Sequence, residues 1–259
     1  MFRLDGKVVA VIGAGSGIGE ACALAAAAQG AHTVCLDLKG ETAAATSARI
    51  VAAGGMAESG AIDLADAEGT AAALDRIAAS RGRLDGLVCT PAINVRKPIL
   101  KYSLEEFDRV VSLNLRANFA TLMAAGRIMT AQQSGSIVLF ASIRALVTEP
   151  GQSVYAMTKA GIVQLAKTAA TEWAPSGVRV NVVAPGVIET PLTAPIKNNP
   201  DWYDAYAAKS PMHRWGQPHE MAGPAVFLLS EAASFMTGSV IYADGGWTAN
   251  DGRFTPPGM

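Results

Sequence analysis

An α/β architecture, with a doubly wound parallel sheet of seven strands and helices on both faces, is predicted by three observations. Short β-branched apolar runs alternate with alanine-rich helical stretches from one end of the chain to the other. Such alternation implies parallel strands joined by crossover helices. The runs read as continuously apolar, as expected of strands covered on both faces. No linker with a shifted composition divides the chain, so residues 1–259 are expected to form a single domain.

The expected strands are 7–12, 32–37, 56–62, 84–89, 135–141, 178–184 and 239–243. The first holds Val8-Val9-Ala10-Val11-Ile12 and leads into a glycine-rich turn, which marks a strand and not a secretory apolar segment. The expected helices are 17–29, 41–53, 66–80, 103–132, 153–173 and 218–229. One segment breaks the rhythm. Residues 187–215 contain no strand and carry Pro191, Pro195, Pro200 and Pro211. A connection this long inside a compact domain is usually functional. Trp202, Tyr203, Tyr206, Met212 and Trp215 could wall an apolar pocket under a lid. They could equally belong to short surface helices that pack these rings on the core.

Composition narrows the function. The chain has 259 residues, half of them hydrophobic, which is ample for a large core. Its net charge is −1 and it has no basic block, so nucleic acid is not an expected partner. No apolar run reaches the ~20 residues of a membrane span. Cys22, Cys35 and Cys89 lack metal-type spacing and sit among apolar neighbours. They read as core thiols of a cytoplasmic protein, with no metal expected.

The first strand ends in Gly13-Ala14-Gly15-Ser16-Gly17-Ile18-Gly19. The common dinucleotide fingerprint G-x-G-x-x-G fails here, because Ile18 stands where its third glycine would fall. A wider spacing fits: glycine, three residues, glycine, one residue, glycine. Glycines permit positive φ and let a pyrophosphate approach the backbone. The helix that follows offers free N–H groups and a favourable dipole. The second strand ends at Asp37, where a carboxylate accepts hydrogen bonds from the adenosine ribose and repels a 2′-phosphate. No Arg or Lys lies in the turn, and Lys39 is the nearest cation. NAD is therefore favoured over NADP. Asp63-Leu64, ending the third strand, could meet the adenine.

The candidate chemistry lies further on. Tyr155 and Lys159 are four residues apart on a predicted helix, and so share a face. A fixed positive charge beside a phenol lowers its pKa from ~10 towards neutral and makes it a usable proton donor and acceptor. Ser142 follows the fifth strand, where hydroxyls are displayed at the mouth of an α/β sheet. Together these groups suit the polarisation of a carbonyl.

These residues resemble the short-chain dehydrogenase/reductase family in its single-domain form, with a Rossmann-type sheet. The resemblance runs from the glycine turn to Asp244-Gly245-Gly246. Gly13, Gly17 and Gly19 match the family's cofactor turn, and Asn114 matches the asparagine of its catalytic tetrad. Ser142, Tyr155 and Lys159 match in type, order and spacing. Pro185-Gly186 and Thr190 match the segment that meets the nicotinamide end of the cofactor. The resemblance implies hydride transfer between a nicotinamide cofactor and a secondary alcohol or ketone. Tyr155 would exchange the proton, Ser142 orient the oxygen, Lys159 depress the phenol and hold the ribose, and Asn114 anchor a water. Further cofactor contacts implied are Ser16, Ile18, Thr90, Ala92 and Ile188. The chain departs from the family pattern twice. Ile12 replaces a threonine, and Cys89-Thr90-Pro91-Ala92 replaces Asn-Asn-Ala-Gly. An apolar contact between Ile12 and Cys89 is expected in place of a polar tie.

Substrate contacts are expected from Arg144, Gln152, Trp202 and Trp215. Arg144 could instead pair with Glu149, and Arg96 and Lys97 could be solvated. The function expected is an NAD-dependent dehydrogenase acting on a small-molecule secondary alcohol or ketone. The alternatives are a 3-oxoacyl-thioester reductase using NADPH and a non-catalytic NAD(H)-binding sensor. Enzymes of this form are usually homotetramers. The alanine-rich helices, the apolar segment 225–229 and the tail 248–259 could serve such an assembly.

Overall fold

The computed structural model describes residues 1–250. Seven parallel strands form one sheet, in the order β3-β2-β1-β4-β5-β6-β7. They are β1 (Val8–Ile12), β2 (His32–Asp37), β3 (Met56–Ala61), β4 (Gly86–Cys89), β5 (Gly135–Phe140), β6 (Val178–Pro185) and β7 (Val240–Ala243). The strand order reverses direction between β1 and β4. In open α/β sheets a ligand crevice forms at that point, beyond the carboxyl ends of the strands.

The helices are α1 (Gly17–Ala28), α2 (Gly40–Ala52), α3 (Ala67–Arg81), α4 (Leu104–Val111), α5 (Asn118–Gln132), α6 (Ser153–Trp173), α7 (Ala194–Lys197), α8 (Pro200–Lys209) and α9 (Pro218–Leu229). One core joins α3, α5 and α6 to the sheet through Leu74, Leu122, Met129 and Ile162. A second core joins α1, α2 and α9 through Cys22, Ile50, Met221 and Leu228. Successive residues of β1 point into opposite cores, Ile12 into the first and Val11 into the second. That is why both faces of this strand must be apolar. β3 differs. It lies at the sheet edge, and its Met56-Ala57-Glu58-Ser59-Gly60-Ala61 is largely open to solvent, so it is not the continuous apolar run expected.

The helix expected over 103–132 is interrupted. Ser103 and Glu106 start α4 with a reciprocal capping box. Residues Ser112–Ala117 then widen into a π-helical turn before α5 begins. A wide turn misaligns backbone groups, and here the side chain of Asn118 donates to the Asn114 carbonyl at 3.0 Å and to that of Leu113 at 3.4 Å. Such turns recur at functional sites. The segment packs on α6 at Gly161, where a Cβ would stand 3.1 Å from Leu115.

The 187–215 excursion contains α7 and α8 and rejoins the body at a bridge between Ile188 and Gly216. Tyr203 stacks on Trp215 with ring centres 4.8 Å apart, and Tyr206 meets Trp247 edge-on at 5.5 Å. The apolar segment 225–229 lies in α9, and four of its five residues are buried in this chain's own core. Of the tail 248–259, residues 251–259 lie outside the described residues.

Ile12 and Cys89 are direct partners across β1 and β4, each 1% exposed and in the same core. The expected apolar contact is there. A polar tie also survives one residue on: Thr90 donates its hydroxyl to the Ile12 carbonyl at 3.0 Å. Reinstating a hydroxyl at position 12 alone would bury it without a partner, a cost of about 1–3 kcal/mol. Ile12→Thr is expected to lose about that much stability in urea denaturation. Adding Cys89→Asn should restore more than half, and a purely additive double variant would show that the two sites are not coupled.

Candidate functional site

The cleft at the β1/β4 switch has a volume of about 380 Å³. The glycine turn forms its floor. Gly13 and Gly17 hold φ of 85° and 57°, the left-handed region that side chains disfavour. A Cβ on Gly19 would collide with the Gly13 carbonyl oxygen. Ser16, at the N-cap of α1, makes no side-chain cap bond, so first-turn N–H groups of α1 remain for an anion.

Asp37 borders the cleft. Its Oδ2 accepts from the Gly15 N–H at 2.9 Å and its Oδ1 from the Lys39 N–H at 3.1 Å. A carboxylate has about four acceptor positions, so roughly two stay free for ribose hydroxyls. Ile18, Asp63 and Leu64 line the same cleft, and Thr90, Ala92 and Thr190 close its far side. Among the described residues the lining includes two carboxylates and no Lys or Arg. These residues suit a dinucleotide. Five of the expected contacts do not line it, Tyr155 and Lys159 among them. Ile188 is 4% exposed in the second core, and its carbonyl accepts from the Thr193 hydroxyl at 2.6 Å. Pro185 ends β6, and Gly186 lines a smaller neighbouring cavity, where it approaches Asp244 so closely that a Cβ would stand 2.7 Å from the Asp244 Cα.

That neighbouring cavity, about 60 Å³, contains Ser142 and Tyr155 and shares Leu192 with the cleft. The Ser142 Oγ accepts from the Arg144 N–H at 3.1 Å, which leaves its own proton to donate. Lys159 is 2% exposed, and its Nζ donates to the Phe140 carbonyl at 2.8 Å. The ammonium stands 5.6 Å from the Tyr155 ring centre. The structure brings the three residues together. Burial raises the Tyr155 phenol above its ordinary value, and the opposing influences are a hydrogen bond with Ser142 and the charges of Arg96 and Arg144. Lys159 is itself lowered to about 8 by burial.

Asn114 sits fully buried in the π turn. Its Oδ1 accepts from the Ile93 N–H at 2.9 Å, and its Nδ2 donates to the Ile93 carbonyl at 2.8 Å and to Thr158 Oγ1 at 3.3 Å. Both ends of the amide are thus engaged by protein. Its side chain fastens the segment after β4.

The expected substrate residues separate into two groups. Arg144 and Gln152 line the small cavity. Trp215 is 2% exposed, and its Nε1 donates to the Tyr203 carbonyl at 2.9 Å, so it anchors the base of α8 and lines no part of that cavity. Trp202 lies on α8 beneath the Arg96 guanidinium, 5.2 Å from ring centre to Cζ. Glu149 collects these elements. Its carboxylate pairs with Arg144 and with Arg96, the latter at 2.8 Å, and accepts from Gln152 and from the Tyr206 hydroxyl on α8. Burial acts to raise Glu149, but Tyr206, Arg144, Gln152 and Arg96 outweigh it and hold the carboxyl below its usual range. Sequence reasoning named Glu149 only as a partner of Arg144. It missed Asn94, whose Nδ2 donates to Gln152 Oε1 at 2.9 Å. No motif marks Asn94, and only the folded loop shows it.

Fold and site together define a nucleotide-cleft α/β enzyme with a Ser-Tyr-Lys cluster at the carboxyl edge of its sheet. Residues 13–248 match the family model described as Enoyl-(Acyl carrier protein) reductase. D-threitol dehydrogenase of Mycolicibacterium smegmatis is 39% identical over 247 residues, 95% of each chain. Galactitol 2-dehydrogenase (L-tagatose-forming) of Cereibacter sphaeroides is 36% identical, covering 96% of this chain and 97% of the other. A gluconate 5-dehydrogenase from Burkholderia cenocepacia, solved with NADP and tartrate, superposes with a TM-score of 0.93 at 32% identity, over 96% of this chain and 98% of that one. The chain belongs to the short-chain dehydrogenase/reductase family, whose members are oxidoreductases that bind a nicotinamide cofactor.

Lys159 supplies a test of the buried charge. Its folded pKa of about 8 lies below the ordinary 10.5. The cost of holding the ammonium is therefore full below pH 8 and fades as pH rises towards 10.5. The shift corresponds to about 3 kcal/mol, of which the lost bond to Phe140 would cancel about 1. Lys159→Met is expected to melt above the native protein at pH 7, with the gap narrowing by pH 10. A variant less stable at pH 7, or a gap independent of pH, would contradict the assignment.

Proposed function

We propose that this protein is an NAD-dependent dehydrogenase that interconverts a polyhydroxylated secondary alcohol and its ketone. The observation that carries the reading is the convergence of Ser142, Tyr155 and buried Lys159 beside a cleft whose lining, among the described residues, includes Asp37 and no cation. Asp37 supports NAD, since its carboxylate would repel a 2′-phosphate. The NADP carried by three structural relatives stands against this preference, which makes the cofactor the first matter to measure. The relatives that act on threitol and galactitol support a polyol.

The cofactor, when bound, supplies the hydride acceptor or donor. The turn from Gly13 to Gly19, Asp37 and Thr190 would hold it. Tyr155 exchanges a proton with the substrate oxygen, and Ser142 donates a hydrogen bond to the same atom and orients it. Lys159 stands behind Tyr155 as a proton relay whose pKa of about 8 lies near working pH. Asn114 positions the segment after β4. Residues 187–215 serve as the lid of a single domain, latched by Tyr206 on Glu149.

A 3-oxoacyl-thioester reductase is the weaker reading, because Arg96, Arg144 and Gln152 line the small cavity where an acyl chain would need apolar walls. A non-catalytic sensor leaves the intact cluster without a use. A cytoplasmic location agrees with three free buried cysteines. Among the described residues no helix is long and apolar enough to cross a membrane. A homotetramer agrees with exposed Leu104, Phe119, Met123 and Met157 on α4, α5 and α6, and light scattering in solution tests it.

Tyr155→Phe is expected to cut turnover at least a thousandfold while leaving cofactor affinity within a few-fold, and unimpaired turnover would refute the proton donor. Asp37→Ala should weaken NAD and raise the NADP/NAD ratio of kcat/KM at least tenfold. A native enzyme that already prefers NADP would overturn the role of Asp37.

A further inference from the structure

Two arginines line the small cavity that contains Ser142 and Tyr155, and among the described residues no carboxylate does. Arg144 sits in the single turn after β5, two residues beyond Ser142, and Arg96 lies on the loop after β4. Glu149 pairs with both but lines no part of the cavity. One carboxylate against two guanidiniums leaves one positive charge in excess.

Neither guanidinium is used up. Each gives Glu149 a single nitrogen, Nη1 from Arg96 and Nη2 from Arg144. Among the described residues, Arg96 Nε and Nη2 and Arg144 Nε and Nη1 make no hydrogen bond. None of these four is among the buried side-chain atoms left without a partner, so they reach open space. A guanidinium offers five N–H donors in a planar fork. The edge that Arg96 leaves free, Nε with Nη2, is the edge by which Arg81 holds Glu58 and Arg83 holds Asp85 in this same chain, at 2.6 to 3.1 Å. Carboxylates are recognised in this two-bond way.

Both planes are set in advance. Arg96 lies over the Trp202 ring at 5.2 Å and Arg144 over the Trp247 ring at 5.6 Å. An aromatic face beneath a guanidinium leaves its edge N–H groups for a ligand. Held by an indole and by Glu149, each cation loses little further freedom when it bonds an anion. One excess charge matches a carboxylate better than a phosphate monoester, which carries nearly two.

We infer that the substrate carries a carboxylate, received by the free edge of Arg96 with Arg144 beside it, so that the enzyme takes a sugar acid in preference to the neutral polyol of the same length. The acid group on the arginines would present a carbinol carbon of the same molecule to Ser142 and Tyr155, which share the cavity. The inference deepens the dehydrogenase reading, and its kinetic test rests on that reading.

The test uses two matched pairs on the full chain: D-threonate against D-threitol, and galactonate against galactitol. Members of a pair differ at one terminal carbon, carboxylate against hydroxymethyl. With NAD, the native protein should favour the acid in kcat/KM at least tenfold in at least one pair. Arg96→Gln should lower that acid-to-neutral ratio at least tenfold, chiefly through KM for the acid. An effect on Tyr155, or a loosening of the lid, acts on both members and cancels in the ratio. Arg144→Gln should act in the same direction. Should it fail to fold, Arg96→Gln decides, since the Arg96 side chain is 30% exposed. Calorimetric titration of the two acids, with NADH present so that no alcohol is oxidised, should show the native protein binding one of them at least tenfold more tightly than Arg96→Gln does. If no probe is turned over but this binding difference stands, the hydride-transfer reading fails and the carboxylate site survives. Native preference for the neutral member of both pairs, an unchanged ratio in Arg96→Gln, or equal binding of the acids by the native protein and Arg96→Gln would overturn the inference.

Discussion

The arrangement of the site depends on one buried charge. Lys159 on α6 carries its ammonium into the interior and bonds it to the Phe140 carbonyl at the end of β5. That bond ties the helix bearing Tyr155 to the strand that delivers Ser142. Desolvating an ammonium is costly, and one carbonyl offsets only part of the cost. The penalty appears as the lysine's lowered pKa. The fold tolerates it because α6 is long, 21 residues, and buries an alanine-rich face through Ala156, Ala166, Ala169 and Ala170. Stability from that packing holds the desolvated group beside Tyr155.

Around this pair the charges are layered. The phenol is raised by burial, and the charges that counter it come from Arg96 and Arg144. These are the same side chains that Glu149 holds. Glu149 therefore holds in place the charges that act on Tyr155. α8 joins the network through the Tyr206 hydroxyl.

Much of this was legible in the chain. β2, α6 and α9 begin and end where their patterns predict, because each is bounded by clear punctuation and buries a regular face. The glycine turn was legible because positive φ and close approach leave few alternatives. The resemblance to the family was carried by the glycine turn, Asn114, Ser142, Tyr155 and Lys159, and the relatives bear it out. Other features were not legible. The π turn at Ser112–Ala117 depends on an Asn118 side chain bonding back to the main chain, and periodicity does not register it. The burial of Tyr155 and the carbonyl bonded by Lys159 were not legible, because i to i+4 proximity says nothing of either. Trp215 looked like a pocket wall, yet its ring stacks on Tyr203 beneath the excursion. Asn94 has meaning only through Gln152 and Glu149, more than fifty residues away.

The central claim is direct hydride transfer from a secondary alcohol carbon to NAD at the Ser142–Tyr155–Lys159 cluster. The most direct measurement is mass analysis of the reduced cofactor after turnover of a polyol deuterated at its secondary carbinol carbons. The account predicts NADH carrying one deuterium. Reduced cofactor without deuterium, or label found only in NADPH, would contradict it.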